Sequence, residues 1–260
     1  MTQTQAINAA PTILRMEGVS KVFAGGVTAL KHMNLEVGQG DFISLLGPSG
    51  CGKSTALRLI AGLMHPTAGR VRWEGAQAAG DIGVVFQEAT LMPWATVAHN
   101  VWLPMRLRGT SFKAVEGKIM EALEMVGLEK FANSYPRELS GGMKMRVSIA
   151  RALVTRPRLI LMDEPFAALD EITRNKMNND LLMLQQQLNC TVIFVTHSVF
   201  ESVFLSNRIV VMAPRPGRVA QELRVVVSGP RDEAFRTSAE YASLCRATSD
   251  ALSDAMGEPA

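Results

Sequence analysis

Eight consecutive residues, Gly47-Pro48-Ser49-Gly50-Cys51-Gly52-Lys53-Ser54, follow the pattern GxxxxGK[ST], with Thr55 next. That arrangement suits the capture of a polyphosphate. Glycines let the backbone wrap closely, so successive N–H groups point at one anion, and a following helix adds its positive end. Lys53 supplies a full charge, and the Ser54 hydroxyl can ligate Mg2+. Far along the chain, Leu159-Ile160-Leu161-Met162-Asp163-Glu164 is an apolar run ending in two carboxylates. Asp163 is placed to bind the water shell of a magnesium ion, and Glu164 to activate an attacking water as general base. Alone such a run says little; beside a phosphate loop it forms the second half of a phosphoryl-transfer site. Between the two, Leu139-Ser140-Gly141-Gly142-Met143 opens an amphipathic segment. The Ser140 hydroxyl and the free N–H groups around Gly141 and Gly142 make either a second anion site or a plain helix cap.

These residues need strands and helices to hold them, and the pattern of the chain predicts both. Short β-branched and apolar runs alternate with longer helical segments, as in an α/β fold. Strands are expected at 13–21, 42–46, 71–73, 82–86, 159–163, 191–196, 209–213 and 218–227, and helices at 53–61, 112–126, 141–154, 171–188 and 199–205. Several strands are continuously apolar (LILMD, TVIFVT), as expected where helices cover both faces of a sheet. Strand signals vanish between Gln87 and Arg158, which reads as a helical subdomain, 88–158, inserted in the core domain 12–227. Residues 1–11 read as disordered. Residues 228–260 read as a C-terminal helical extension, with Tyr241, Leu244, Ala247, Ala251, Leu252 and Ala255 at helical spacing to pack on the same domain.

Composition narrows the class. The 260 residues are 47% hydrophobic, which suits a globular core, and the 21 Gly and 12 Pro are scattered, which excludes a collagen-like chain. The 27 basic and 24 acidic residues leave a net charge of only +3, without basic runs, so a nucleic-acid partner is not expected. Three widely spaced cysteines, Cys51, Cys190 and Cys245, predict neither a disulfide framework nor a zinc site. The first residues lack the basic start and apolar stretch of a signal peptide, and no apolar run is long enough for a spanning helix. A soluble, cytosolic protein is expected.

Taken in order, these motifs make the chain resemble the nucleotide-binding subunits of ATP-binding-cassette (ABC) transporters, over about residues 12–227. The resemblance implies the fold of a P-loop NTPase: a core sheet with helices on both faces, a β-rich N-terminal part and the inserted helical subdomain. It implies ATP and Mg2+ as ligands, with Gly47, Pro48, Ser49, Gly50, Cys51, Gly52, Lys53, Ser54 and Thr55 around the phosphates. Phe23 stands where an aromatic residue stacks on adenine. Gln87 matches the residue that touches magnesium and senses the membrane subunit, so the metal set is Ser54, Gln87 and Asp163. The resemblance implies that Glu164 and the switch residue His197 are the catalytic pair. Asp170 matches the D-loop, and Ser140, Gly141 and Gly142 the signature that reaches the partner's nucleotide across a head-to-tail homodimer. The sequence departs from the family's usual pattern at Met143, Met145 and Ala167, none of which removes a phosphate-binding group.

Two looser stretches, 91–101 (LMPWATVAHNV) and 203–219 (VFLSNRIVVMAPRPGRV), are similar to importers of nitrate, sulfonates and taurine. That implies ATP-driven uptake of a small anionic solute, at the cytoplasmic face of the bacterial inner membrane. The partners implied are an integral membrane permease and, indirectly, a periplasmic solute-binding protein, with Leu91, Met92 and Trp94 forming a groove for the permease. Relatives with similar stretches carry other nutrients, such as thiamine-precursor pyrimidines. DNA-repair ATPases with these motifs carry long coiled coils between Gln87 and Ser140, which are absent here. Translation-associated cassettes usually come in pairs, and small P-loop kinases lack LSGGM.

Overall fold

The computed structural model describes residues 11–75 and 81–257; the segment 1–10, which carries most of the expected N-terminal disorder, lies outside them. The chain opens with strands β1 (Thr12–Val22) and β2 (Thr28–Gly38), then β3 (Phe42–Leu46), helix α1 (Lys53–Ile60), β4 (Ala68–Trp73) and β5 (Ile82–Val85). Helices α2 (Val97–Leu107), α3 (Phe112–Met125) and α4 (Gly141–Leu153) follow without an intervening strand. The core resumes with β6 (Leu159–Asp163), α5 (Glu171–Leu188), β7 (Thr191–Thr196), α6 (Val199–Leu205), β8 (Arg208–Ala213) and β9 (Arg218–Arg224), and the chain ends in α7 (Glu233–Arg236) and α8 (Ala239–Gly257).

Two sheets result. A six-stranded sheet runs β5-β6-β7-β3-β8-β9, parallel except for the antiparallel β8–β9 hairpin. A three-stranded antiparallel sheet runs β2-β1-β4, the β-rich N-terminal part that was expected. The alternation of side chains along each central strand feeds two cores. Leu159, Leu161, Ile193 and Val195 pack with α1 and the small sheet. Ile160, Met162, Val192 and Phe194 pack with the helices of the other side. Burial on both faces is why these strands read as unbroken apolar runs.

Two elements escaped the sequence pattern. Strand β2 is half exposed, and His32 sits in it with a left-handed backbone (φ 52°), which breaks the period-two signal. Helix α2 holds Pro104 in its interior, a residue that argues against helix. It forms nonetheless, because Val97, Ala98, Val101 and Met105 bury one stripe and Thr96 caps the start by accepting the His99 N–H. In the tail, α8 packs on α6 and β8 as expected, but its buried stripe is Tyr241, Cys245, Thr248, Ala251 and Ala255, while Ala247 is exposed. Cys245 and Thr248, whose hydroxyl bonds back to the Leu244 carbonyl, fill the positions that pattern reading left out.

Candidate active site

The parallel register brings the ends of β3, β5, β6 and β7 to one edge of the sheet, with Leu46 beside Thr196 and Asp163 beside Val195. The carboxyl edge of such a sheet is where α/β proteins bind ligands. From there Gly47 begins the phosphate loop, Asp163 ends β6 with Glu164 directly after it, His197 follows β7, and Gln87 lies two residues beyond β5. A cleft of about 940 Å3 opens at this edge.

The loop is held by bonds within the chain. Lys53 is almost fully buried, and its ammonium donates to the carbonyls of Gly47 (2.8 Å) and Pro48 (3.0 Å), 3.8 Å from Glu164 Oε1. Gly52 has a left-handed backbone (φ 92°), and a Cβ there would lie 2.7 Å from the Ala29 carbonyl oxygen, so only glycine fits. Ser49, Gly50, Gly52, Lys53, Ser54 and Thr55 line the cleft. Cys51 does not: its side chain is fully buried, and burial raises the thiol pKa. Its side chain therefore takes no part in the phosphate-facing surface where it was expected.

Ser54 Oγ donates to Asp163 Oδ1 at 2.8 Å. Burial pushes the Asp163 carboxyl upward, while the Ser54 hydrogen bond pulls it back. Glu164 takes a left-handed backbone (φ 46°), fixed by its N–H donating to the Val195 carbonyl (3.0 Å), and this turns its carboxylate into the cleft. Non-glycine residues in that region cluster at functional sites. His197 Nδ1 stands 3.3 Å from Glu164 Oε2. Phe23 is exposed at the cleft rim rather than packed in a core, and Gln87 also lines the cleft.

The signature lies apart from the cleft. Ser140 is exposed and caps α4 by accepting the Met143 N–H (3.3 Å), with Gly141 exposed beside it. Gly142 faces Thr173 on α5, where a Cβ would come within 3.2 Å of the Thr173 methyl. Asp170 caps α5 through the Thr173 N–H (2.9 Å), a bond that lowers its carboxyl pKa. Met145 is buried in the helical core and Met143 packs against it, so these two departures serve packing.

Leu91 also packs against the helical core, which removes it from the expected groove. Trp94 is 77% exposed and borders a shallow cleft with Met92, Trp102, Arg106 and Tyr135. The loop before α2 is pinned by the buried Asn100, whose side chain bonds to the backbone of Met92, Ala95 and Thr96. Asn100 was not singled out from the sequence, and neither was Arg215, which lines the main cleft.

A family model described as ABC transporter matches residues 30–167, more than half of the chain. The chain belongs to the ABC transporter family. This ABC ATPase is 42% identical to the nitrate import ATP-binding protein NrtD of Synechocystis, over 90% of this chain and 95% of that one. It is 41% identical to the aliphatic sulfonates import ATP-binding protein SsuB of Bacillus thuringiensis, over 84% and 88%. An uncharacterized ABC transporter ATP-binding protein of Methanocaldococcus jannaschii is 48% identical over 88% and 86%. Among solved structures it is similar to a dimeric ATP-binding cassette in a post-hydrolysis state bound to ADP and Pi, with TM-score 0.72 and 35% identity, covering 83% of this chain and 100% of that one. Among the described residues of this ABC ATPase, no helix is long and apolar enough to cross a membrane.

Proposed function

We propose that this ABC ATPase powers the import of a small anionic solute of the nitrate or sulfonate class, as the peripheral subunit of a complex at the cytoplasmic face of a bacterial inner membrane. The observation that carries this reading is the meeting of Lys53, Ser54 and Glu164 on one cleft, with Asp163 bonded to Ser54 and His197 beside Glu164, in a chain related to two import ATPases. Lys53 exchanges the Gly47 and Pro48 carbonyls for phosphate oxygens of ATP. Glu164 accepts a proton from the attacking water, and His197, held beside it, grips the γ-phosphate. Phe23 covers the adenine. The residues fit Mg2+: Ser54 and Asp163 already touch, Gln87 lines the same cleft as Ser54, and no cluster of three or more His, Cys, Asp or Glu among the described residues forms an all-protein cage. Ser54, Gln87 and Asp163 would hold the ion, which supplies charge neutralisation at the β- and γ-phosphates.

Ser140, Gly141 and Gly142, lying outside their own chain's cleft, complete the site of a second copy in a head-to-tail homodimer, with Asp170 at the same face. A two-fold axis then yields two sites from one sequence. Trp94 and Met92 border the groove that receives the permease, and a solute-binding protein delivers cargo to that permease from outside. Solute uptake by cells carrying this chain with its permease tests the reading: labelled nitrate or a sulfonate should accumulate, and transport of neither would refute the solute class.

Two mutations probe separate parts. Lys53→Ala removes a buried charge that contacts phosphate, and each lost bond to a charged group is worth about 1.5–3 kcal/mol. MgATP affinity should fall at least about tenfold, measured by calorimetry, and ATPase activity should disappear. Trp94→Ala removes a side chain that buries little within its own chain, so the melting temperature should shift by less than about 0.5 kcal/mol in equivalent stability. Soluble ATPase activity should persist while membrane association and uptake are lost. A large melting shift with normal membrane association would contradict the docking role.

A further inference from the structure

The turn Pro214-Arg215-Pro216-Gly217, between β8 and β9, has no part in the chemistry above, yet it borders the nucleotide cleft. Its position is tightly set. The Gly217 N–H donates to the Ala29 carbonyl (3.1 Å), and the Lys31 N–H donates to the Gly217 carbonyl (2.9 Å). A Cβ on Gly217 would lie 2.0 Å from the carbonyl oxygen of Cys51 and 2.7 Å from that of Ala29. Glycine is therefore obligatory, and the turn is seated at once on the phosphate loop and on the start of β2. Two residues earlier, Arg215 has a left-handed backbone (φ 38°) and an exposed side chain. Apart from Glu164, it is the only non-glycine residue of the cleft lining in that conformation among the described residues.

Arg215 and Pro216 line the same cleft as Phe23, Val27 and Ala29, and the next residue, Gly217, is hydrogen-bonded to Ala29. Lys53, the other basic residue of the lining, is buried at the phosphate loop. Among the described residues Arg215 makes no ion pair or side-chain hydrogen bond, so its guanidinium is available to a ligand. A guanidinium is a planar fork of donors with no acceptor, and it stacks readily on aromatic faces. A nucleoside beside Phe23 offers both an aromatic face and acceptors, on the ring nitrogens and the ribose oxygens.

We propose that Arg215 is a nucleotide-binding residue that holds the base and ribose of ATP, seated there by the Gly217 contact with β2 and the phosphate loop. This rests on the ATPase function proposed above. The role is binding rather than chemistry: Gly217 ties this turn to Ala29, two residues beyond the hydrogen-bonded turn from Phe23 to Val27.

The test uses the full chain carrying Arg215→Ala or Arg215→Lys, with two probes, MgATP and magnesium tripolyphosphate. Tripolyphosphate has the phosphates of ATP without the nucleoside. Arg215→Ala should weaken MgATP binding and raise the KM for ATP about tenfold, with kcat reduced less than about twofold. Its tripolyphosphate affinity should match that of the wild type. Arg215→Lys keeps the charge without the planar fork, so it should bind ATP more weakly than wild type but more tightly than the alanine variant. An unchanged ATP affinity in a folded Arg215→Ala protein would overturn the assignment. Equal losses for ATP and tripolyphosphate would also overturn it, by moving the contact to the phosphates. Wild-type protein that bound tripolyphosphate but gained nothing from the nucleoside would instead defeat the ATPase reading itself.

Discussion

Glu164→Gln should slow ATP hydrolysis by about 10^2–10^4-fold while leaving MgATP bound, because only the proposed proton acceptor is lost. Its carboxylate stands 3.8 Å from the Lys53 ammonium and 3.3 Å from His197 Nδ1, and its backbone is fixed in a left-handed conformation. Glutamine has nearly the same shape, so the cleft keeps its form and the charge of Lys53. With binding intact and turnover blocked, the ATP-bound dimer should accumulate. Gel filtration with light scattering should show a doubled mass in MgATP and a monomer after ATP is removed. Turnover at the wild-type rate would defeat the assignment of Glu164 as the base.

Ser140→Arg should be as damaging to hydrolysis, by a different route. Ser140 is exposed at the start of α4, outside the cleft of its own chain. The substitution removes a hydroxyl and places a bulky cation on the face that we propose meets the partner's nucleotide. The isolated monomer should bind MgATP with unchanged affinity, since no group lining its own cleft is altered. Hydrolysis and ATP-driven dimerisation should fall together. The cap lost from α4 costs about 1 kcal/mol, a modest fall in melting temperature that leaves the protein folded. Normal dimerisation by this variant would contradict a site shared between copies.

Much of this molecule was legible in the sequence, for physical reasons that can be named. Strands β3, β6 and β7 run at the expected residues because both their faces are buried, which leaves unbroken apolar runs. Helix α5 was equally clear, with Asp170 capping its start and Asn189 ending it in a left-handed conformation. The phosphate loop and the two carboxylates were legible because each is contiguous in sequence. Strand β2 was lost to its exposed residues and the break at His32, and α2 to Pro104.

Contacts between distant segments left weaker traces. Nothing local marks Asn100 as the residue that pins the loop carrying Trp94. Glu201 is similar: buried under the switch, it accepts a hydrogen bond from Thr196 Oγ1 (2.5 Å), whose oxygen also accepts the Ser198 N–H (3.0 Å). His197 thus sits between two anchored residues, an arrangement visible only once β7 and α6 are folded together. Arg215 had a possible signal, a Pro-Arg-Pro-Gly turn after an apolar strand, but its place on the cleft comes from the pairing of Gly217 with β2.

The central claim is that each hydrolytic site joins the phosphate loop of one copy to the signature of another. Mixing Lys53→Ala with Ser140→Arg protein tests it most directly. Neither variant alone can build a complete site, whereas a heterodimer holds one, made from the intact loop of the Ser140→Arg subunit and the intact signature of the Lys53→Ala subunit. ATPase activity should appear on mixing and rise with the fraction of heterodimer. A mixture no more active than the two proteins measured separately would contradict it.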